Sequence, residues 1–359
     1  MNLFLLVLLA IACTTPGALS APTSPQATPT FANPAEAGQP DFGVGFELTA
    51  SYGSAAVSFS NGTVSTIAKI EAEDGYKEVL QRLSLYSSRH PSPPYDNLAD
   101  SWDDMPRQYL RKARKAVGLP ASSDVGFLAK MLSDLRASVG ERVGPITSAG
   151  VTSLHLVALY DEDLHDAFEY IGLEYLTFPV GWPGHRILYE TSAAYAGYGF
   201  RLYADYTHPK ACEEELNAMP HSAVMAVPFV PNVLTVSLSV LKSVYGLWEP
   251  NYRYLIDFEL GYGGEDAADA VDDGGGYWEN VKMRLEQIMA LNPFYDRPAK
   301  VVLMGDCVGS EMFQQTLLTA LGEQMEELPE ILSIGSEVVA ARGVAEMAKR
   351  TLFKLGRLN

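Results

Sequence analysis

The chain of 359 residues carries 26 Lys and Arg against 44 Asp and Glu, a formal charge of −18, with 47% hydrophobic and 19% charged residues. That length suits one large domain or two ordinary ones, and the near-average composition excludes disordered, collagenous and coiled-coil chains. So acidic a surface repels nucleic-acid phosphates and anionic membranes, and neither is expected as a partner.

Residues 3–12 are an unbroken apolar run ending before Ala18-Leu19-Ser20-Ala21. The run is too short for a bilayer, which takes roughly 20 residues. With its small-residue cleavage pattern, 1–20 reads as a secretory signal peptide. Residues 21–40, rich in Pro, Thr, Ser and Ala, read as a linker that cannot bury enough apolar surface to order itself. The expected location is therefore the secretory lumen or the exterior, with no membrane attachment after cleavage.

From Asp41 the pattern becomes α/β. Strands are predicted at 42–48, 54–59 and 63–70, with Asn61-Gly62 as a hairpin turn between the last two. Asn61-Gly62-Thr63 is also a glycosylation sequon, and a hairpin tip is exposed. Helices are predicted at 104–117 and 123–138, a strand at 151–158 and a helix at 161–171. Strands follow at 222–229, 233–241 and 253–260, then a helix at 278–291, a strand at 300–304 and helices at 310–327 and 335–354. The alternation runs through twice, which implies two α/β lobes, 41–200 and 201–359, with the last helix packing back toward the first lobe. Cys13 leaves with the signal; Cys212 and Cys307 remain, as one disulfide or as two buried free thiols.

Four stretches in order resemble the nucleotide-binding domain of the 70-kDa heat-shock chaperones, members of the actin-like ATPase superfamily. Val44–Tyr52 with its hairpin is similar to the first phosphate loop. Arg186–Gly199 resembles the connecting helix, Gly261–Asp266 a Gly-Gly-Glu-Asp turn, and Val301–Cys307 the adenosine loop. The resemblance implies a two-lobed actin-like (ribonuclease H-like) fold with a shortened second lobe. It implies ATP or ADP with Mg²⁺ as cofactor. Glu190 would be the catalytic acid that orients water. Glu47, Ser51, Tyr52, Gly263, Gly264, Gly305 and Glu337 would line the nucleotide, with Glu47 and Glu337 toward the metal. Full-length chaperones add a peptide-binding domain, and the chain ends at Asn359, so chaperoning of that kind is not expected.

The chain departs from this pattern where phosphate is gripped. Thr49 replaces the glycine of the first loop, and Pro228–Val233 replaces the glycine-rich second loop with two prolines that lack N–H donors. No segment before residue 120 matches the surroundings of the catalytic lysine. Asp306 stands where a second glycine is usual. Losing several N–H donors at roughly 1.5–3 kcal/mol each outweighs one retained metal bridge. The expectation is a degenerate site in a non-catalytic binding or scaffold module, its ligand an unidentified protein or small molecule. The alternatives are a weak ATP-binding or ATPase protein and a sugar- or small-molecule-phosphotransfer enzyme of the same fold.

Three charged clusters have blander readings. Asp161–Asp166 with His165 reads as a solvated helix start rather than a metal site. Asp266, Asp269, Asp272 and Asp273 read as a flexible acidic loop rather than a Ca²⁺ site. Arg107, Arg111, Lys112, Arg114 and Lys115 read as a solvated helix face. No Walker loop, Gly-x-Ser-x-Gly, His-Glu-x-x-His or Cys-x-x-Cys motif occurs.

Overall fold

The computed structural model describes residues 41–178, 187–245, 253–262, 276–290 and 297–358. The signal and linker readings, Arg186, Gly263, Gly264 and the acidic run 266–273 lie outside the described residues. The protein is mixed α/β, with eleven strands and nine helices among the described residues.

β1 (Phe42–Leu48), β2 (Tyr52–Phe59) and β3 (Val64–Glu71) form an antiparallel meander. Gly62 closes the β2–β3 hairpin at φ +87°, and Asn61 Oδ1 accepts from the Thr63 N–H at 2.9 Å. β4 (Ser148–Ser153) then pairs parallel to β1, with β5 (Glu174–Tyr175) and β6 (Leu188–Tyr189) parallel to it. The order in this first sheet is β3-β2-β1-β4-β5. β7 (Ser222–Val230), β8 (Val233–Leu241) and β9 (Tyr254–Asp257) make a second antiparallel meander. β10 (Lys300–Met304) pairs parallel to β7, and β11 (Glu330–Leu332) parallel to β10. The order 3-2-1-4-5 therefore recurs as 9-8-7-10-11, with the same strand senses.

Nine helices layer these sheets. α1 (Asp74–Leu83), α3 (Ser123–Val143) and α4 (Asp161–Tyr170) bury Leu80, Leu128, Leu132, Leu135 and Phe168 against the face of the first sheet that carries Phe46 and Leu48. α7 (Gly276–Ala290) and α8 (Glu311–Gln324) cover the outer face of the second sheet through Leu285, Phe313 and Leu317. α5 (Glu190–Gly197) and α9 (Val339–Lys354) lie between the sheets, in one core with Val224, Val302 and Met304. α2 (Leu98–Ala116) and α6 (Pro209–Ala218) complete the set.

The central layer is built on small residues. A Cβ on Gly45 would sit 2.2 Å from the Ala345 nitrogen, and one on Gly43 would sit 2.1 Å from the Lys349 nitrogen, so α9 rests directly on β1. At the α5–α9 crossing a Cβ on Gly343 would lie 1.8 Å from the Ala193 carbonyl oxygen.

Several boundaries differ from expectation. The strand expected at 151–158 is Ser148–Ser153, because β1 pairs with β4 only through Leu48 and then turns. The helix expected at 104–117 begins at Leu98, where Asn97 caps it by accepting from the Asp100 N–H at 2.9 Å. Cys212 and Cys307 are both free, so the disulfide alternative is not adopted. The thiol of Cys212 points instead to the Asp205 carbonyl, at 3.3 Å.

Candidate functional site

The candidate site gathers at the C-terminal end of β1. Glu47 faces α9, and the pleat puts Ser54 of β2 and Lys69 of β3 in register beside it. Ser54 Oγ donates to Glu47 Oε2 at 2.7 Å, and the Ala341 N–H in the first turn of α9 donates to the same carboxyl. Glu47 is 3% exposed, and burial outweighs these donors, raising its pKa to about 7. Glu190 opens α5, equally buried, and its Oε1 has no hydrogen-bond partner among the described residues. Burial, and then the charge of Glu47, push it to about 8. Two neighbouring buried carboxyls thus share little stabilisation for a second negative charge.

The β1–β2 turn consumes its own donors. Thr49 Oγ1 accepts from the Tyr52 N–H at 2.9 Å and the Ser51 N–H at 3.2 Å, and donates to the Tyr52 carbonyl at 2.7 Å. The backbone N–H groups of Thr49, Ser51 and Tyr52 are therefore already paired within the turn. Across from it, Pro231 and Asn232 form the β7–β8 turn. Asn232 joins the two turns directly: Ser51 Oγ donates to its Oδ1, and its Nδ2 donates to the Ala50 carbonyl at 2.9 Å.

Charge is spanned in the same way. Lys69 Nζ lies 2.9 Å from Asp306 Oδ2, 3.5 Å from Glu337 Oε2 and 4.5 Å from the centre of the Tyr52 ring. Gly305, at φ +94°, hands its N–H to the Ser336 carbonyl at 3.0 Å, and a Cβ there would meet the Phe229 oxygen at 2.3 Å. Its glycine is explained by close packing on β7. Glu337 is half-exposed and held by Lys69, while Glu47 is enclosed. Among the described residues no group of three His, Cys, Asp or Glu side chains is placed to hold a metal ion.

The structure thus brings Glu47, Ser51, Tyr52, Gly305 and Glu337 together with Lys69, Asn232 and Asp306 at one place. Sequence reading passed over Lys69 and Asn232. Lys69 could have been found by strand parity, since it stands opposite Ser54, which stands opposite Glu47. Asn232 carried no such signal, because its role exists only once the two hairpins meet.

Two charged clusters read separately as solvated surfaces are in fact each other's partners. Arg111, 5% exposed, pairs with Asp163 at 2.7 Å and Asp166 at 2.6 Å, and Lys115 pairs with Asp166 and Glu169. Arg107 pairs with Glu162 and Asp104. His165 stands 3.6 Å from Asp161 and edge-on to Tyr175, in a structural setting. Beyond this network lies a groove of about 920 Å³ where His155 stacks on Tyr189 at 3.8 Å, with Tyr86, Tyr95 and Tyr254 along its wall.

No protein-family model matches the chain, and no curated protein matches it either.

Proposed function

We propose that the chain is a non-catalytic binding or scaffold module on a two-lobed, actin-like ATPase (ribonuclease H-like) fold of the heat-shock chaperone type, acting in the secretory lumen or outside the cell. The repeated strand order, the two central helices and the acids at the ends of β1 and at the start of α5 support the fold assignment. The carrying observation is Asn232, which bonds both Ser51 and Ala50 and so occupies the gap between the two turns that would receive the phosphates. Thr49 and Lys69 reinforce it, one by taking the backbone donors and the other by being neutralised by Asp306 and Glu337. Opening the gap would leave Asn232, Ser51 and the Lys69 cluster to find new partners, a cost of about 1 kcal/mol or more for each broken bond.

Titration calorimetry of the full chain with Mg·ATP and Mg·ADP tests this. No saturable heat is expected below about 1 mM ligand. Sub-millimolar binding overturns the reading.

One observation favours residual ATPase activity as a second reading. Glu190 is enclosed, has an unpartnered oxygen and titrates near neutrality, as suits a base that orients water. Phosphate release that disappears in Glu190→Gln would establish it.

A further inference from the structure

α2 is turned the opposite way from an ordinary surface helix. Its inward side is charged: Asp104, Arg107, Gln108, Arg111 and Lys115 bond to one another and to acids on and around α4. Its outward side is apolar. Leu98 is 72% exposed, Trp102 61%, Tyr109 64%, Leu110 62% and Val117, just past the end, 71%. With the exposed Pro106 and Ala113 they recur every three or four residues along about 28 Å of helix, a continuous stripe. Trp102 and Tyr109 alone leave on the order of 250 Å² of ring surface uncovered. Scattered exposed apolar residues need no explanation, but an aligned set of this kind marks a contact surface.

The charges beside the stripe select the occupant. Asp100 and Asp103 lie in the first half of α2, Lys112 and Arg114 in the second. Asp103 and Lys112 are exposed and appear in no ion pair among the described residues, while Arg114 is half-buried and donates its Nε–H to the Pro120 carbonyl at 2.8 Å. A second α2 laid antiparallel about a two-fold axis sets the acidic half of each copy on the basic half of the other. It brings Asp103 of each toward Arg114 of its mate and opposes the two helix dipoles favourably. A parallel mate would set like charges side by side. The acids flanking Trp102 also disfavour an anionic membrane.

We propose that α2 is the isologous contact of a homodimer, packed antiparallel on α2 of a second copy of this chain. The apolar stripe holds the contact and the end charges set its direction. A single helix pair is small against the roughly 800 Å² per partner of standard interfaces, so the dimer should dissociate in the micromolar range.

Sedimentation equilibrium of the full chain tests this. A monomer–dimer equilibrium is expected at tens of micromolar, weakened at least 100-fold by Trp102→Asp with Tyr109→Asp. Both side chains are outward, so circular dichroism and melting temperature should be unchanged. Asp103→Arg and Arg114→Asp should each weaken self-association, and an equimolar mixture of the two variants should recover it as a heterodimer, since both ends are then complementary. A wild type that stays monomeric overturns the proposal, as does a dimer indifferent to the Trp102 and Tyr109 changes. Sedimentation of a monomeric chain with phosphatidylcholine vesicles, abolished by those two changes, would overturn it in favour of a lipid surface.

Discussion

Glu47 and Glu190 show how one side chain's burial sets a property of the whole chain. Both titrate above the ordinary carboxyl value of 4.5, at about 7 and about 8, with burial the leading cause. Between about pH 4.5 and 8 the folded chain therefore holds protons that the unfolded chain has released. Stability contributed by these protons is complete below pH 4.5 and falls as pH rises through the window. Glu47 alone accounts for a loss of order 3 kcal/mol, and the two titrate as a pair rather than independently. Asp104 and Glu346 act in the other direction. For both, burial raises the pKa but is outweighed, by Arg107, Tyr95 and Gln108 in one case and Lys349, Ser58 and Arg350 in the other. Their stabilisation is present above the ordinary carboxyl values, 3.8 and 4.5, and is lost as pH falls below them. Thermal melts should therefore rise from pH 8 to pH 5, and Glu190→Gln should raise the melting temperature at pH 8 and flatten the slope. A wild-type melting temperature that climbs between pH 5 and 8 would refute this account. The cysteines offer a second check. Burial first, then Asp306, push the Cys307 thiol up to about 12, and Cys212 is enclosed. Iodoacetamide at pH 8 should label neither rapidly in the native state and both after denaturation, with no reductant needed. A pair that labels only after reduction would show a disulfide.

At the level of elements, two contacts stand out for opposite reasons. The α5–α9 crossing depends on absent side chains. Gly343→Ala would force a methyl to 1.8 Å from the Ala193 oxygen, backbone against backbone, and should cost about 3 kcal/mol or more in urea unfolding. Gly62→Ala at the open hairpin tip is the control, because only its positive φ is at stake and the cost should be near 1 kcal/mol. Equal losses in the two variants would mean that the crossing is looser than described. The α2–α4 contact depends on charge. Arg111→Ala strands Asp163 with little water, leaves Asp166 to Lys115 alone and should cost about 3–5 kcal/mol, whereas Arg111→Met, with its partners changed to Asn, should recover most of it. This contact also explains why α2 was read short. Residues 98–103 show no inward apolar period because the inward face is ionic, and the apolar period that exists points to solvent. Helices with a buried apolar stripe are placed better: α8 lies within three residues of its expected bounds, and α3 starts where expected but runs on to Val143 instead of 138. α1 and α6 fall in mixed polar stretches and carried too little pattern to be placed.

For the whole molecule, the central layer belongs to both sheets. α9 rests on β1 through Gly43 and Gly45, and its other face shares a core with β7 and β10. The two sheets cannot separate without uncovering that layer, so residues 41–358 should unfold in a single transition. A differential scan resolving two transitions would contradict this. The recurrence of the strand order has no counterpart in a readable sequence repeat, since pairing and sense recur while side chains do not. Contact between the β1–β2 and β7–β8 turns is likewise a property of the assembled chain. Asn232 and Ser51 are 181 residues apart in sequence, and Lys69 and Asp306 are 237 apart.

The sequence by itself determined what is local and periodic: the strands of both meanders, most helices, the Asn61-Gly62 hairpin, and the prolines at 228 and 231 that carry no N–H donor. Periodicity, turn chemistry and missing N–H donors act within a few residues, so they can be read along a line. Only the tertiary structure decided which charges neutralise which, that both cysteines stay free, that Glu47 and Glu190 are buried together, and that Asn232 and Lys69 tie distant segments together. These outcomes depend on distances between residues far apart in the chain, which folding sets by burying apolar faces and not by any pattern the polar residues carry themselves.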